Sequence, residues 1–339
     1  MIGFYVHHQG SGHVHRATAI ARATRHPVIG FSSLPRPELW PGEWIRLPDD
    51  AEGVDPTTAD VTAHDTLHWV PRDHPGLAAR MGRISAELAT GRVRLLVADV
   101  SVEVALLARL HGVPVAVVAQ PGDRTDAPHR LAYDLAEKLI APWPERPAPG
   151  WPRAWRDKTV HVGAVSRFDG RPPVIGSPGR RVLALWGSGG LDVGPDRLQA
   201  AAVATPDWSW QIAGPARPPG AGPTNLRWHG WLSEVWTALG DADVVVTHAG
   251  QNALAEIAAA RRPAVVIPQR RPHREQVSTA AELARSGTAI VAETWPEPAA
   301  WPRVLDQAAR HGGAAWATWS SGRGAVQAAA VLDGLVATP

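Results

Sequence analysis

The sequence predicts an α/β protein with two doubly wound parallel sheets. Short apolar runs rich in β-branched residues alternate with amphipathic helical stretches along the whole chain, which is the pattern of parallel strands joined by helices. The alternation occurs twice, with proline-rich stretches at residues 141–155 and 171–179 between the two halves. The chain has 339 residues, of which 45% are hydrophobic. It is therefore long enough for two buried cores in domains of about 150 residues each.

The predicted elements are short and end at turn residues. The predicted strands are 2–8, 28–33, 94–99, 114–119 and 138–141 in the first half and 181–186, 208–213, 243–247, 264–268 and 289–292 in the second. The predicted helices are 14–24, 76–90, 102–111, 192–204, 252–260, 274–286 and 325–336. In doubly wound sheets, ligands bind beyond the carboxyl ends of the strands. Polar residues that directly follow a strand are therefore the candidate site residues.

Proline and tryptophan mark the connecting segments. Proline cannot continue a helix, so the stretches at 141–155 and 171–179 predict a stiff connection between the domains. Several of the 16 tryptophans stand next to proline, and most are predicted to pack in surface loops.

The composition excludes several classes of site and partner. There is no cysteine, which excludes disulfides, a thiolate nucleophile and cysteine-ligated zinc. The 34 basic residues are spread along the chain and balanced by 32 acidic ones, so no basic block predicts nucleic-acid binding.

The first residues lack the apolar run of a signal peptide, and no apolar stretch approaches the roughly 20 residues of a transmembrane helix. A cytoplasmic location is expected.

The strongest motif lies at residues 242–276. A buried strand leads into the loop His248-Ala249-Gly250, and a helix is predicted to start near Asn252. Small residues let the backbone approach an anion closely, and the free amides at a helix start favour negative charge. His248 adds a hydrogen-bond donor at the same place. The loop therefore predicts a phosphate site.

Two acidic residues of the same segment complete this motif. Glu256 follows Asn252 by four residues and so lies on the same helix face, one turn further along. A carboxylate there can accept hydrogen bonds from both hydroxyls of a ribose. Glu275 and Gln276 open the next helix at the same edge of the sheet and could contact the hydroxyls of a sugar. The alternative is an ordinary βαβ unit in which Glu256 is a solvated helix residue.

A glycine-rich turn follows the first strand of the second half. The residues Gly187, Ser188 and Gly189 form a turn of the size that holds a phosphate, and a helix is predicted from near Asp192. Any tight turn from strand to helix favours glycine, so a purely structural role is the alternative.

The segment 242–276 resembles the donor-binding signature of the GT-B glycosyltransferases and is similar to the family 28 C-terminal domain. That family includes the enzyme that adds N-acetylglucosamine to the lipid-linked peptidoglycan precursor. The resemblance implies that His248 and Gly250 face the diphosphate of a nucleotide sugar, Glu256 its ribose, and Glu275 with Gln276 the transferred sugar. Ala249, Gln251 and Arg262 depart from the residues common in relatives. The resulting donor set is Gly187, Ser188, Gly189, His248, Gly250, Gln251, Asn252, Glu256, Glu275 and Gln276.

The turn after the first predicted strand is similar to the N-terminal Gly-x-Gly-His segment of family 28 enzymes. His13 in this turn is the predicted general base, since an imidazole accepts a hydroxyl proton near neutral pH; the alternative is a capping histidine. Asp99 ends a strand at the same edge and would orient His13 or act as the base itself, or else cap the next helix. The four histidines here could also suggest a metal site, but no acidic partner is expected nearby, so no metal is predicted.

The resemblance implies two Rossmann-like domains that face each other across a cleft, the GT-B architecture. Residues 1–160, with a returning helix at about 320–337, would bind the acceptor, and residues 175–318 the donor. The implied reaction is the inverting transfer of a sugar from a nucleotide diphosphate sugar, expected to be UDP-linked, to a hydroxyl of a small-molecule or lipid-linked acceptor, with no metal or cofactor. Peripheral membrane contact stays open. The alternatives are a nucleotide-sugar 2-epimerase and a catalytically silent nucleotide-sugar-binding protein.

Overall fold

The structure is a computed structural model that describes residues 1–148, 150–173, 179–187, 190, 192–214 and 222–337. The chain divides into two compact units. Unit 1 comprises Met1–Val162 and Gly324–Pro339, and unit 2 comprises Gly163–Arg323. Each unit contains one parallel sheet with helices packed on it, so the prediction of two α/β domains is confirmed.

In the described part of unit 1, seven parallel strands form one sheet. The strands are β1 Ile2–Tyr5, β2 Val28–Ser32, β3 Glu43–Arg46, β4 Leu95–Asp99, β5 Val115–Val118, β6 Lys138–Ala141 and β7 Thr159–His161. Their order across the sheet is β3-β2-β1-β4-β5-β6-β7, so the direction of winding reverses between β1 and β4. The loops that follow these two strands therefore leave the sheet side by side, at the place where doubly wound sheets bind ligands.

Five helices of unit 1 connect these strands within the described residues. They are α1 Ser11–Ala23, α2 Pro75–Ala89, α3 Val102–Leu110, α4 Ala127–Leu135 and α5 Arg153–Lys158. The strands β1, β2, β4 and β5 are buried along their whole length, as expected for parallel strands covered by helices. Side chains cap two of the helices: His74 Nδ1 accepts from the Leu77 amide and Ser101 Oγ from the Val104 amide.

The described part of unit 2 contains a six-stranded parallel sheet. Its strands are β8 Arg181–Leu185, β9 Ser209–Ala213, β10 Leu226–Gly230, β11 Val244–Thr247, β12 Ala264–Val266 and β13 Ile290–Val291. Its helices are α6 Pro195–Ala204, α7 Val235–Asp241, α8 Gln251–Ala260, α9 Glu275–Arg285 and α10 Trp301–His311. The order β10-β9-β8-β11-β12-β13 places the reversal of winding between β8 and β11. The loops after β8 and β11 carry the predicted phosphate-binding residues.

The last helix, α11 Gly324–Ala337, belongs to unit 1, where it packs against α1. None of the described helices is both long and apolar enough to cross a membrane.

The sequence did not predict the strands β3, β7 and β10. All three are edge strands, and each exposes part of its length to solvent. An edge strand needs no continuous apolar run, so the signal that identified the inner strands is missing.

The sequence also did not predict four of the helices, α4, α5, α7 and α10. Proline stands in the first turn of α4 and of α10, where its missing amide costs nothing, so at these positions proline begins a helix and does not mark a connecting segment. Proline also stands at the first position of α6, which begins at Pro195 and not, as predicted, near Asp192. The helices α5 and α7 have only six and seven residues, too few to show a helical period.

Two predictions about the connecting segments were wrong. The stretch 141–155 lies within unit 1, where Trp143 and Trp155 are buried, and the chain passes into unit 2 after Val162. Most tryptophans pack in the cores and not in surface loops. The buried ones are Trp40, Trp143, Trp155, Trp186, Trp208, Trp210, Trp295, Trp301, Trp316 and Trp319. A buried indole N–H needs a partner, and Trp210 and Trp316 donate to Thr205 and to the Arg262 carbonyl.

Candidate active site

The turn between β1 and α1 positions His13. Gly10 adopts a φ of 82°, which glycine reaches at no steric cost, and α1 starts at Ser11, two residues before the predicted histidine. His13 therefore lies in the first turn of the helix. Arg16, one turn further along, is buried in spite of its charge.

The structure brings both predicted catalytic residues together. Asp99 ends β4, the strand beside β1, and is 2% exposed. His13 Nδ1 lies 3.0 Å from Asp99 Oδ2, and Arg16 donates to Asp99 Oδ1 over 2.7 Å. The proposed capping role of Asp99 is wrong, because Ser101 caps α3.

The charges around Asp99 keep its carboxyl group ionised. Burial by itself would raise its pKa, but the positive charge of Arg16 and then that of His13 outweigh burial, and the pKa of Asp99 lies well below its usual value. The Arg16 guanidinium also lies 3.2 Å from His13 Nδ1. A buried carboxylate held by an arginine is a fixed hydrogen-bond acceptor for the imidazole.

Two further histidines adjoin this site. The rings of His7 and His8 stack with centroids 5.0 Å apart, and His7 lies 5.5 Å from His13. Burial, and then the charges of His13 and His8, lower the pKa of His7 to about 3. The expectation that no acidic residue is near these histidines was wrong, because Asp50 Oδ1 lies 3.8 Å from His8 Nε2. The same carboxylate pairs with Arg80 at 3.2 Å, and that cation opposes a metal ion there.

In unit 2, β11 ends at Thr247, and α8 begins at Gln251 after Gly250. No side chain caps the start of α8. Its first amides therefore have no intrahelical partner and favour an anion. Gln251 and Asn252 stand at the predicted position, at the reversal of winding between β8 and β11.

His248 is placed as predicted, after β11, but its hydrogen bonds differ from the expectation. Nδ1 lies 2.8 Å from the Ile267 carbonyl, which can only accept, and Nε2 accepts from the Trp186 indole over 2.8 Å. Both nitrogens of the neutral ring thus already have hydrogen-bond partners. In this arrangement the prediction that His248 offers a hydrogen-bond donor to a phosphate is wrong. Burial lowers the pKa of His248, as does the charge of Arg271, whereas the Ile267 bond and Asp192 raise it.

Glu256 is buried, with 3% of its surface exposed, so the alternative of a solvated helix residue is wrong. Its Oε1 accepts from Arg167 Nε over 2.8 Å and from Asn252 Nδ2 over 3.1 Å. Both hydrogen bonds that Glu256 makes with the described residues end on Oε1. Burial raises the pKa of the carboxyl group, although Arg167 and Asn252 act against the shift.

Arg167 is a site residue that the sequence did not predict. It lies near the start of unit 2, far along the chain from Glu256, and no local pattern connects the two positions. Its guanidinium also stacks on Phe168, with 4.8 Å between its central carbon and the ring centroid.

Three of the remaining predicted donor residues, Gly187, Glu275 and Gln276, follow the strands β8 and β12 at the carboxyl end of the sheet. Gly187 follows β8, whereas Ser188 and Gly189 lie outside the described residues. The side chain of Gln269 donates to the Gly190 carbonyl over 3.2 Å, which ties the loop after β12 to this turn. Glu275 and Gln276 begin α9, and Gln276 Oε1 accepts from the Gln269 amide over 3.0 Å, so Gln276 supports the loop.

Comparisons with known proteins agree with this arrangement. Residues 224–298 match the model of the glycosyltransferase family 28 C-terminal domain. Among solved structures, the glycotransferase of kitacinnamycin superposes with a TM-score of 0.71 at 18% identity, covering 98% of each chain. The chain has the GT-B fold. MurG of Acinetobacter baumannii superposes with a TM-score of 0.59 at 16% identity and covers 99% of this chain and 98% of its own.

The GT-B fold also occurs in a different class of enzyme. A structure described as a putative UDP-N-acetylglucosamine 2-epimerase of Listeria monocytogenes has a TM-score of 0.66 at 11% identity, over 96% of this chain and 93% of that one. The fold alone therefore does not distinguish a transferase from an epimerase.

Two curated proteins have sequences similar to this GT-B chain. Both are described as UDP-N-acetylglucosamine–N-acetylmuramyl-(pentapeptide) pyrophosphoryl-undecaprenol N-acetylglucosamine transferase. The protein of Geobacillus kaustophilus is 30% identical over 216 residues, 57% of this chain and 57% of its own. The protein of Sorangium cellulosum is 30% identical over 267 residues, 67% of this chain and 62% of its own. This chain thus covers about three fifths of each relative.

The family model covers only part of the candidate site. It contains the predicted donor residues from His248 to Gln276, but neither Gly187 nor the pair His13 and Asp99. The assignment of the catalytic pair therefore rests on the geometry of unit 1.

Proposed function

We propose that this protein is a glycosyltransferase that moves a sugar from a nucleotide diphosphate donor to a hydroxyl group of a small-molecule or lipid-linked acceptor. The resemblance of the chain to family 28 enzymes implies that the donor is UDP-linked. The observation that carries the proposal is the contact between His13 and Asp99 at the winding reversal of unit 1, in a chain whose unit 2 contains a family 28 domain.

In the proposed reaction His13 is the general base. A carboxylate only accepts hydrogen bonds, so in the proposed tautomer Nδ1 carries the proton and donates to Asp99, does not accept from Arg16, and leaves the lone pair on Nε2. The acceptor's proton passes to Nε2 while the acceptor oxygen bonds to the anomeric carbon and the bond to the diphosphate oxygen breaks. A single displacement of this kind inverts the anomeric centre. Asp99, already ionised and held by Arg16, orients the imidazole and stabilises its charge.

Unit 2 would bind the donor mainly through charge and hydrogen bonds. The uncapped start of α8 would hold the diphosphate, and Arg271, close enough to His248 to shift its pKa, adds positive charge nearby. Glu256 would accept from the ribose hydroxyls through Oε2 while Arg167 and Asn252 hold Oε1. Fixed dipoles and a cation at the leaving group stabilise its developing charge, which removes the need for a metal ion.

The proposal is tested by ligand binding and product analysis. Thermal shifts with UDP, dTDP, GDP and ADP, each with and without a metal chelator, identify the nucleotide. We expect UDP to stabilise the protein equally under both conditions, by about 2.7 kcal/mol at a hundredfold excess over the dissociation constant. No shift with any of the four, or a shift only with added metal, would refute the proposal.

A second measurement separates the transferase from its alternatives. UDP-sugars are incubated with a panel of hydroxyl-bearing acceptors and, separately, without acceptor, and the products are analysed by mass spectrometry and NMR. A glycosylated acceptor supports the proposal. A changed configuration at C2 of the sugar would show an epimerase, and binding with no product in either arm would show a silent binding protein.

A further inference from the structure

The loop between β12 and α9 concentrates positive charge at the donor edge of unit 2. Residues 269–274 read Gln-Arg-Arg-Pro-His-Arg, with three guanidinium groups, one imidazole and no carboxylate before Glu275. We call these six residues the basic loop. His273 and Arg274 both have left-handed backbone angles, with φ of 57° and 55°. For residues other than glycine this conformation is unfavourable, by a free energy of order 1 kcal/mol each.

One arginine of the basic loop belongs to the diphosphate region. Arg271 donates to Gln269 Oε1 over 2.8 Å, and Gln269 bonds in turn to the Gly190 carbonyl after β8. The charge of Arg271 also lowers the pKa of His248, after burial and against the opposing effects of Ile267 and Asp192. Arg271 is thus held beside the loops after β8 and β11.

The other two arginines have no such role. Arg270 and Arg274 are exposed, and their guanidinium groups make no hydrogen bond or ion pair with the residues that the structure describes. Arg274 directly precedes Glu275 and Gln276, the residues that the family resemblance relates to the transferred sugar. The uncapped start of α8 and Arg271 together already supply the positive potential that a diphosphate needs. A neutral hexose would give Arg270 and Arg274 no charge to bind.

We propose that Arg270 and Arg274 of the basic loop recognise a carboxylate on the transferred sugar, so that the donor is a nucleotide diphosphate uronic acid. Arginine suits this task because its planar guanidinium can bind both oxygens of a carboxylate. The inference rests on the proposed function, since it assumes that unit 2 binds a nucleotide sugar.

Calorimetry with three probes tests the inference: UDP, UDP-glucose and UDP-glucuronate, which differ only by the sugar and its carboxylate. In the wild-type protein we expect UDP-glucuronate to bind at least about 10-fold more tightly than UDP-glucose, the effect of one charge-assisted pair. The double variant Arg270→Gln/Arg274→Gln should lose this preference and keep the UDP affinity within about twofold. Both side chains are exposed, so the substitutions leave the core unchanged. Arg303→Gln, an exposed arginine of α10, is the matched control and should bind all three probes like the wild type.

Two outcomes overturn the inference alone. The first is equal affinity of the wild type for UDP-glucose and UDP-glucuronate. The second is a double variant that weakens UDP as much as both sugar nucleotides, which would assign these arginines to the diphosphate. Failure of the wild type to bind any of the three probes is a different result, because it refutes the proposed function, and this inference with it.

Discussion

His13 Nδ1 lies 3.0 Å from Asp99 Oδ2, and Arg16 donates to the other oxygen of the same carboxylate. The three side chains come from two β–α connections that meet at the winding reversal of unit 1. Because Arg16 and Asp99 are buried, water competes little for their hydrogen bonds. The imidazole is the most exposed of the three groups, with 23% of its side chain accessible, and it is the one that can meet an acceptor.

Replacing His13 by alanine should abolish transfer and preserve donor binding. A general base contributes about 10²–10⁴-fold to the rate, whereas the proposed donor residues all belong to unit 2. The measurement is the transfer rate at saturating donor, together with UDP affinity by calorimetry. His26→Ala is the control, since His26 precedes β2 at the opposite edge of the sheet. Near-normal transfer by His13→Ala would remove the histidine from the mechanism.

Asp99→Asn should slow transfer less than His13→Ala does. The pKa of the Asp99 carboxyl lies well below its usual value because Arg16 and His13 outweigh burial, and a carboxylate that weakly basic is a poor proton acceptor. Its proposed task is to orient the imidazole. Rates of the two variants, measured side by side, decide the assignment. A loss with Asp99→Asn equal to or greater than that with His13→Ala would make Asp99 the base.

Glu256→Gln should weaken UDP binding without unfolding the protein. The amide keeps the shape of the side chain but loses the charged acceptor for the ribose hydroxyls, a change worth roughly 1.5–3 kcal/mol. Calorimetry with UDP measures the effect, and Glu293→Gln, an exposed position of the same unit, is the control. Unchanged affinity would limit Glu256 to its structural bonds with Arg167 and Asn252.

Acid should destabilise unit 1 through buried histidines. Burial, followed by the charges of Arg124 and His68, lowers the pKa of His129 from 6.5 to about 3. Between these values the unfolded chain binds the proton and the folded protein does not, so the stability lost grows as the pH falls from 6.5 towards 3. At pH 5 the loss from His129 alone is about 2 kcal/mol. Urea unfolding at pH 7 and pH 5 should show a smaller difference in His129→Gln than in the wild type. An identical difference in both proteins would contradict the shift.

The inner strands were predictable, whereas three of the four edge strands of the described sheets were not. Strands such as β1, β4 and β11 are buried on both faces, and burial demands the continuous apolar runs by which they were identified. β3, β7 and β10 expose part of their length to solvent, so these strands do not require continuous apolar runs. The contact between the rings of Trp295 and Trp301 was also not predictable from the sequence. A tryptophan next to a proline has the same local sequence whether it lies in a loop or in a core.

The sequence by itself determined the contacts that lie within one β–α connection. Asn252 and Glu256 are four residues apart on α8 and bond to each other, as the helical period requires. The tertiary structure alone decided the pairs of His13 with Asp99, Trp186 with His248, and Arg167 with Glu256. Each of these pairs joins segments that are far apart in the chain. They meet because β1 pairs with β4 and β8 with β11, and because the segment that carries Arg167 folds into unit 2 together with α8. Strand order and packing depend on the burial of the whole unit, and no local residue pattern encodes them.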